Sequence, residues 1–164
     1  MKFLLIDKIE SLVPGERIVA IKNLSLAEEY LQDHFPSFPV LPGVLMLEAL
    51  TQSAAWLVRL HDDWAYSLVV LKAARNLKYA SFLRPGNTLR LEVDVMKLDD
   101  TKATFKAAGY VGDTLAVSAR IELSRTRLAD TKGARGERID SRLIADLKEE
   151  FELVGGPDLL ESQS

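Results

Sequence analysis

Cysteine is absent from this chain of 164 residues, and only two residues are histidine. The absence of cysteine excludes disulfide bonds and thiolate chemistry, and two histidines alone disfavour a zinc site. No uncharged apolar run reaches about 18 residues, and no basic segment followed by an apolar stretch opens the chain, so neither a membrane span nor a signal peptide is predicted. The net charge of −3 indicates no preference for nucleic acid. Cytoplasmic residence is therefore expected.

The size of the chain fits one domain followed by a tail, since domains commonly have about 100–150 residues. Hydrophobic residues make up 48% of the sequence, which excludes disorder of the whole chain through low hydrophobicity. The composition turns polar near residue 129. We therefore predict a domain over residues 1–128 and a tail over residues 129–164, formed by a polar linker around residues 132–138 and an amphipathic helix over residues 140–153.

Alternation of apolar and polar residues predicts several antiparallel strands, because successive side chains of a strand point to opposite faces. The clearest case is the segment Leu89 to Val95, where apolar and charged residues alternate without a break. The strands predicted in this way, or from short apolar segments bounded by turns, cover residues 1–9, 17–21, 67–71, 89–95, 103–111 and 117–123.

One long apolar helix accompanies these strands. It is predicted to begin near Gly43, because Pro42 is followed by an unbroken run of good helix formers, and to end near His61. A shorter helix over residues 26–31 is predicted from a capping box formed by Ser25 and Glu28. Strands and one long helix packed on a sheet describe an α+β domain.

A histidine and a carboxylate flank the start of the long helix. His34 precedes it, and Glu48 lies inside it among Val44, Leu45 and Leu47. Apolar surroundings favour the neutral form of a carboxyl group, which suits a proton donor. The backbone N–H groups at the start of a helix can stabilise an oxygen that gains negative charge. This segment therefore supplies a candidate base, a candidate acid and a candidate oxyanion site.

The segment resembles the active-site motif of the 3-hydroxyacyl-[acyl carrier protein] dehydratases of the hot-dog fold. The similarity is carried by His34-Phe35-Pro36, Pro39, Pro42-Gly43-Val44-Leu45, Glu48 and Gln52, and a second stretch over residues 77–87 is also similar. It covers roughly residues 1–127. Ser37 stands where the family has glycine, and a serine forced to a positive φ would be strained.

The resemblance implies a fold, a reaction and roles for particular residues. It implies a sheet wrapped around a long central helix, a dimer or a higher assembly of dimers, and no metal or redox cofactor. The implied substrate is a (3R)-3-hydroxyacyl chain on acyl carrier protein, dehydrated to the trans-2-enoyl thioester. It assigns His34 as the base and Glu48 of the other subunit as the acid. The Gly43 N–H binds the thioester oxygen. From its position one turn beyond Glu48, Gln52 is expected either to orient Glu48 or to satisfy a neighbouring backbone group.

Two alternatives to a dehydratase stay open from the sequence. One is an acyl thioesterase of the same fold, in which the carboxylate activates water. The other is a non-catalytic acyl-binding subunit, suggested by Ser37, by a start that is short for the family and by the extra tail.

Other residues have simpler interpretations. Five cations could form a docking patch for an acidic carrier protein or could be scattered surface charges: Arg59, Lys72, Arg75, Lys78 and Arg84. The side chains of Trp56 and Trp64 are expected in the core or an interface.

Overall fold

The computed structural model describes residues 3–161. The six strands in chain order are β1 (Lys8–Val13), β2 (Arg17–Asn23), β3 (Leu68–Tyr79), β4 (Thr88–Leu98), β5 (Ala103–Val111) and β6 (Thr114–Thr126). The helices are α1 (Gly43–His61), α2 (Ala129–Leu153) and α3 (Gly156–Glu161), and a 3₁₀ turn covers Glu29–Leu31. The strands form one antiparallel sheet in the order β1-β2-β4-β5-β6-β3. The predicted α+β class is therefore confirmed.

The helix α1 packs on one face of the sheet and contacts five of its strands, from β2 to β6. Alternation in the strands explains this packing: Leu89, Leu91 and Val93 of β4 are all fully buried. The buried hydroxyl groups of α1 are satisfied locally, since Thr51 and Ser53 donate to the carbonyls four residues earlier at 3.0 and 2.9 Å. An apolar helix enclosed by a sheet in this way is the architecture that the resemblance implied.

The predicted start and end of α1 are confirmed. Pro42 immediately precedes the helix with φ −53°, and its carbonyl accepts from Leu45 and Met46. Past His61 the chain turns sharply, with positive φ at Asp63 and Trp64. The proline thus fixes where the helix that carries Gly43 and Glu48 begins.

The first strand was predicted wrongly. Among the described residues of the interval 1–9, only those from Lys8 onward belong to β1, while Met1 and Lys2 lie outside the described part. The reason is a side chain: Gln52 of α1 accepts from Leu5 N–H at 2.9 Å and donates to the Phe3 carbonyl at 3.0 Å. These backbone groups are thereby used outside a strand ladder.

The capping box was also wrong. Ser25 Oγ accepts from Ala27 N–H, but the carboxylate of Glu28 binds Lys22 Nζ at 3.0 Å. Lys22 is buried, and Asp7 lies 3.5 Å from the same ammonium. A buried cation requires nearby anions, and this demand outweighs a local helix cap.

The linker predicted around residues 132–138 is wrong as well, because α2 already begins at Ala129 and contains only one non-helical residue, Gly133. Asp140 holds this start in place: its carboxylate accepts from the N–H groups of Leu128 and Ala129 and from Ser67 Oγ. Farther along, Phe151 is buried in the core against Trp56 and Trp64. The helix therefore packs against the domain.

Candidate active site

The loop before α1 holds His34 in a defined orientation. The His34 carbonyl accepts from Val40 N–H at 3.1 Å, and the ring Nδ1 lies 3.2 Å from the Val40 carbonyl oxygen. The imidazole also stacks on Phe35, with ring centroids 4.2 Å apart, across a cis peptide bond. Because a carbonyl oxygen can only accept, Nδ1 carries the proton in this hydrogen bond. The lone pair of the neutral imidazole is then on Nε2.

Ser37 lies in this loop without backbone strain. Within residues 3–161 the non-glycine residues with positive φ are Asp63, Trp64 and Asn76, and Ser37 is not one of them. Its loop is closed by a reciprocal pair of backbone hydrogen bonds between Phe35 and Phe38. The concern that serine would distort the turn is therefore removed.

Gly43 opens α1 beside the same loop. Its N–H belongs to the first turn, where no acceptor within the helix is available. A Cβ atom at this position would lie 3.0–3.2 Å from three ring atoms of Tyr79. Glycine thus permits the close approach of Tyr79, a residue for which no role was predicted from the sequence. Burial raises the pKa of the Tyr79 phenol.

His34 and Gly43 line one apolar cavity of about 450 Å³, here called the His34 cavity. Its walls also include Val44, Tyr79 and Phe82, whose side chains are about half or more exposed to solvent when a single chain is considered alone. Exposed apolar residues around a polar pair indicate a surface that is covered by a further partner or ligand.

Glu48 lies elsewhere, in a cavity of about 240 Å³ here called the Glu48 cavity. Five residues along a helix rotate the side chain by about 140° around the axis, so Gly43 and Glu48 point to different sides of α1. Gln52 lies one turn later and donates to Glu48 Oε1 at 3.1 Å. Within one chain, His34 and Glu48 therefore do not share a cavity.

Arg59 belongs neither to a basic docking patch nor to a set of scattered surface charges, the two interpretations considered for the five cations. It is half-buried in the Glu48 cavity with its guanidinium carbon 4.8 Å from the centroid of the Trp56 ring. Lys72 pairs with Glu122 at 2.8 Å, and Arg84 stacks on Phe38. The five cations thus do not form one surface, because Arg59 lines the Glu48 cavity. The composition could not predict this cavity, since part of its wall comes from α2.

Residues 1–120 match the sequence model of the FabA-like domain. The chain belongs to the FabA-like family. Its relatives include the 3-hydroxyacyl-[acyl-carrier-protein] dehydratase FabZ of Ruminiclostridium cellulolyticum, 39% identical over 127 residues that cover 76% of this chain and 88% of the relative. The enzyme of the same name from Symbiobacterium thermophilum is 35% identical and is covered to 94%. Our assignment of the family from the motif is thereby confirmed.

Solved structures support the fold of this FabA-like protein. A chain of the dehydratase heterocomplex ApeI:P from Xenorhabdus doucetiae superposes with a TM-score of 0.60 at 15% identity, covering 75% of this chain and 83% of its own length. A mutant hypothetical thioesterase from Streptococcus pneumoniae superposes with a TM-score of 0.55 at 11% identity, covering 73% and 89%. Identities this low establish the hot-dog fold alone.

No helix among residues 3–161 has the length and apolar character needed to span a bilayer. Over the same residues, no three histidine or acidic side chains are grouped as metal ligands would be.

Proposed function

We propose that this FabA-like protein dehydrates a (3R)-3-hydroxyacyl thioester carried by acyl carrier protein to the trans-2-enoyl thioester. The reaction removes a proton from C2 and the hydroxyl group from C3, which leaves a double bond between them and releases water. It requires a base, an acid and a stabiliser of negative charge on the thioester oxygen. The proposal depends most on the orientation of His34 beside Gly43, together with the FabZ relatives.

His34 is the base. With its Nδ1 proton directed to the Val40 carbonyl at 3.2 Å, the Nε2 lone pair can take the C2 proton. The resulting imidazolium keeps its hydrogen bond to the same carbonyl. The stacked Phe35 ring restricts rotation of the imidazole.

The Gly43 N–H donates a hydrogen bond to the thioester oxygen and stabilises the negative charge that develops there. It lies at the start of α1, where the helix dipole adds to the field of the N–H. The Tyr79 ring, packed against Gly43, closes one side of the His34 cavity.

Glu48 is the acid that delivers a proton to the leaving hydroxyl, and Gln52 is its positioning residue. The Gln52 side chain is fixed by Phe3 and Leu5 and donates to Glu48 Oε1. Because Glu48 and His34 lie in separate cavities of one chain, the acid at each site comes from a second copy. We therefore propose a homodimer with two equivalent shared sites.

The edge of the sheet formed by β3 is available for this assembly. The strand pairs with β6 on one side only among the described strands, and it carries the exposed apolar residues Val70, Leu77 and Tyr79. An unpaired strand edge is a template for pairing with another chain. Fatty-acid or related lipid synthesis in the cytoplasm is the setting that we propose.

The test is hydration of a trans-2-enoyl thioester, the reverse reaction, followed by loss of its ultraviolet absorbance. We expect wild-type activity and a loss of about 100-fold or more in His34→Ala and in Glu48→Gln, since each removes one proton-transfer group. Release of free thiol from an acyl thioester would instead support the thioesterase. A folded wild-type dimer that binds acyl thioesters without turnover would support the non-catalytic subunit.

A further inference from the structure

The Glu48 cavity follows one face of α1 over several turns. Glu48, Gln52, Ala55 and Arg59 all line it and recur at helical spacing. Glu48 and Arg59 are about three turns apart, so they lie on the same side of the helix, about 16 Å from each other along its axis. If Glu48 acts at C3 of the substrate, the rest of the acyl chain has this face of α1 to pack against. The following inference rests on the proposed function.

The helix α2 lies at the Arg59 end of this cavity. Its residues Leu147 and Glu150 line the cavity. Phe151, which follows them, packs against Trp56 with ring centroids 5.4 Å apart. Because Trp56 and Arg59 belong to the last part of α1, these contacts place α2 beside the stretch of the cavity that is most distant from the acid.

Hydrogen bonds hold α2 in this position from both ends. At its start, the Asp140 carboxylate accepts from the N–H groups of Leu128 and Ala129. Beyond its end, the carbonyl of Val154 accepts from Ile9 N–H of β1 at 2.8 Å. A longer ligand that pushed the helix outward would have to break these hydrogen bonds, so this part of the wall resists displacement.

Arg59 and Glu150 make the distal stretch of the cavity charged. Burial lowers the pKa of Arg59 to about 10, and the carboxylate of Glu150 opposes this shift. The guanidinium is therefore protonated near neutral pH. The walls nearer to the acid include the apolar residues Ala55 and Val69. A hydrocarbon end that reached the charged stretch would remove water from both charged groups without offering a hydrogen bond to either, which is costly.

We propose that Arg59 and Glu150 set an upper limit on the length of the acyl chain that this protein accepts. The guanidinium carbon lies 4.8 Å from the centroid of the Trp56 ring, so the charge is level with Trp56. Trp56 follows Glu48 by about 12 Å along the helix axis. An extended chain advances about 1.2 Å per bond, as a peptide backbone does. About ten carbons thus fit beyond C3, and the limit lies at a chain of about 13 carbons.

Hydration rates over a series of chain lengths test this inference. The substrates are trans-2-enoyl thioesters of acyl carrier protein with unbranched tails and four to eighteen carbons. We expect kcat/KM to rise with length at first, because each added methylene buries apolar surface. It should then fall about tenfold between twelve and sixteen carbons, the effect of charged groups that lose water without a new partner.

A paired substitution identifies the residues responsible. Arg59→Met with Glu150→Met, here called the double variant, removes both charges and keeps the net charge of the chain. The ratio of kcat/KM at sixteen carbons to that at eight should rise about tenfold. Arg142→Met with Glu149→Met is the matched control, because both residues are exposed and line neither cavity. It should leave the ratio unchanged.

A milder variant keeps the test available if the double variant does not fold. Arg59→Gln removes the positive charge but retains a polar side chain. It should raise the same ratio by a smaller factor. An unchanged ratio in a folded Arg59→Gln protein would contradict the limit.

A binding measurement separates this inference from the proposed function. Glu48→Gln is titrated calorimetrically with saturated acyl thioesters of the same lengths, with and without the double substitution. Affinity should stop rising at the same length, and the double substitution should remove this limit. That pattern without any wild-type hydration would keep the length limit and reject the dehydratase. Hydration with the same length profile in wild type and the double variant would overturn the limit and keep the dehydratase, and the absence of both hydration and a limit in binding would reject both.

Discussion

At the scale of single residues, Gln52 connects the catalytic candidate to the beginning of the chain. Gln52→Leu should lower the free energy of unfolding by about 1–3 kcal/mol, because Leu5 N–H and the Phe3 carbonyl lose their partner. Urea unfolding measures this loss. Gln52→Glu keeps an acceptor for Leu5 but no longer donates to Glu48, so the hydration rate should fall although less stability is lost than in Gln52→Leu. If the two variants lost hydration rate only in proportion to their loss of stability, a positioning role for Gln52 would be contradicted.

Gly43 and Tyr79 should be coupled. Gly43→Ala brings a methyl group to about 3.0 Å from the Tyr79 ring, so the ring has to move and the His34 cavity changes shape. We expect KM for the enoyl thioester to rise severalfold. Tyr79→Leu in the same chain should restore part of the loss, and a double-mutant cycle on kcat/KM measures the coupling. Strict additivity would show that the contact is unimportant.

Some of these residues were predictable from sequence and others were not. His34, Gly43 and Glu48 belong to one short motif, so their local order follows from Pro42 and the helix start. Helix geometry also separates Gly43 from Glu48, whereas the orientation of His34 depends on the loop hydrogen bonds with Val40. The surroundings of Arg59 were not predictable, since the cavity that it lines is also lined by Leu147 and Glu150, which are distant in sequence. The contact of Tyr79 with Gly43 was equally unpredictable, because it joins β3 to α1, two elements that are distant in sequence.

At the scale of elements, the start of α2 depends on Asp140. Burial alone would raise the pKa of this carboxyl, but hydrogen bonds from Ser67, Ala129 and Leu128 outweigh it and hold the pKa below its ordinary value of 3.8. The stabilisation is therefore present above pH 3.8 and is lost as the pH falls through the lower folded value.

Asp140→Asn should consequently lower the melting temperature at neutral pH. It should also weaken the acid dependence of stability below about pH 4. Thermal unfolding at several pH values, monitored by circular dichroism, measures both effects. Asp130→Asn is the control, since Asp130 is exposed and pairs only with Arg127 among its described contacts. An identical pH dependence in wild type and Asp140→Asn would contradict the assignment.

The strands show why element boundaries vary in predictability. β5 was predicted at its observed limits, because its alternation ends at the turn of Gly112 and Asp113. β3 was predicted only by its opening segment, residues 67–71, and it continues to Tyr79. Most residues of that later part of β3 are exposed. Since neither face is buried there, the sequence does not alternate between apolar and polar residues.

At the scale of the whole molecule, a shared site predicts complementation between inactive variants. His34→Ala and Glu48→Gln are each expected to be inactive as homodimers. In a mixed dimer, one site combines both substitutions and the other combines two wild-type residues. After random reassociation of equal amounts, half of the dimers are mixed, and each mixed dimer has one of its two sites intact. The mixture should therefore recover about a quarter of the wild-type hydration rate.

The control for complementation mixes either variant with itself under the same dissociation and refolding conditions. Sedimentation should show dimers in every sample. Mixed dimers without activity would mean that His34 and Glu48 of one chain serve the same site, and monomers with activity would reject the dimer.

The tail has a consequence for how this protein could diversify. Leu147 and Glu150 lie beyond residue 120, where the match to the FabA-like domain ends, yet both form part of the wall of the Glu48 cavity. The motif to which we assign the chemistry and the helix that helps to line the cavity are thus separate stretches of sequence. Mutation of the appended helix can retune which molecules are accepted while the reacting groups stay under unchanged constraint.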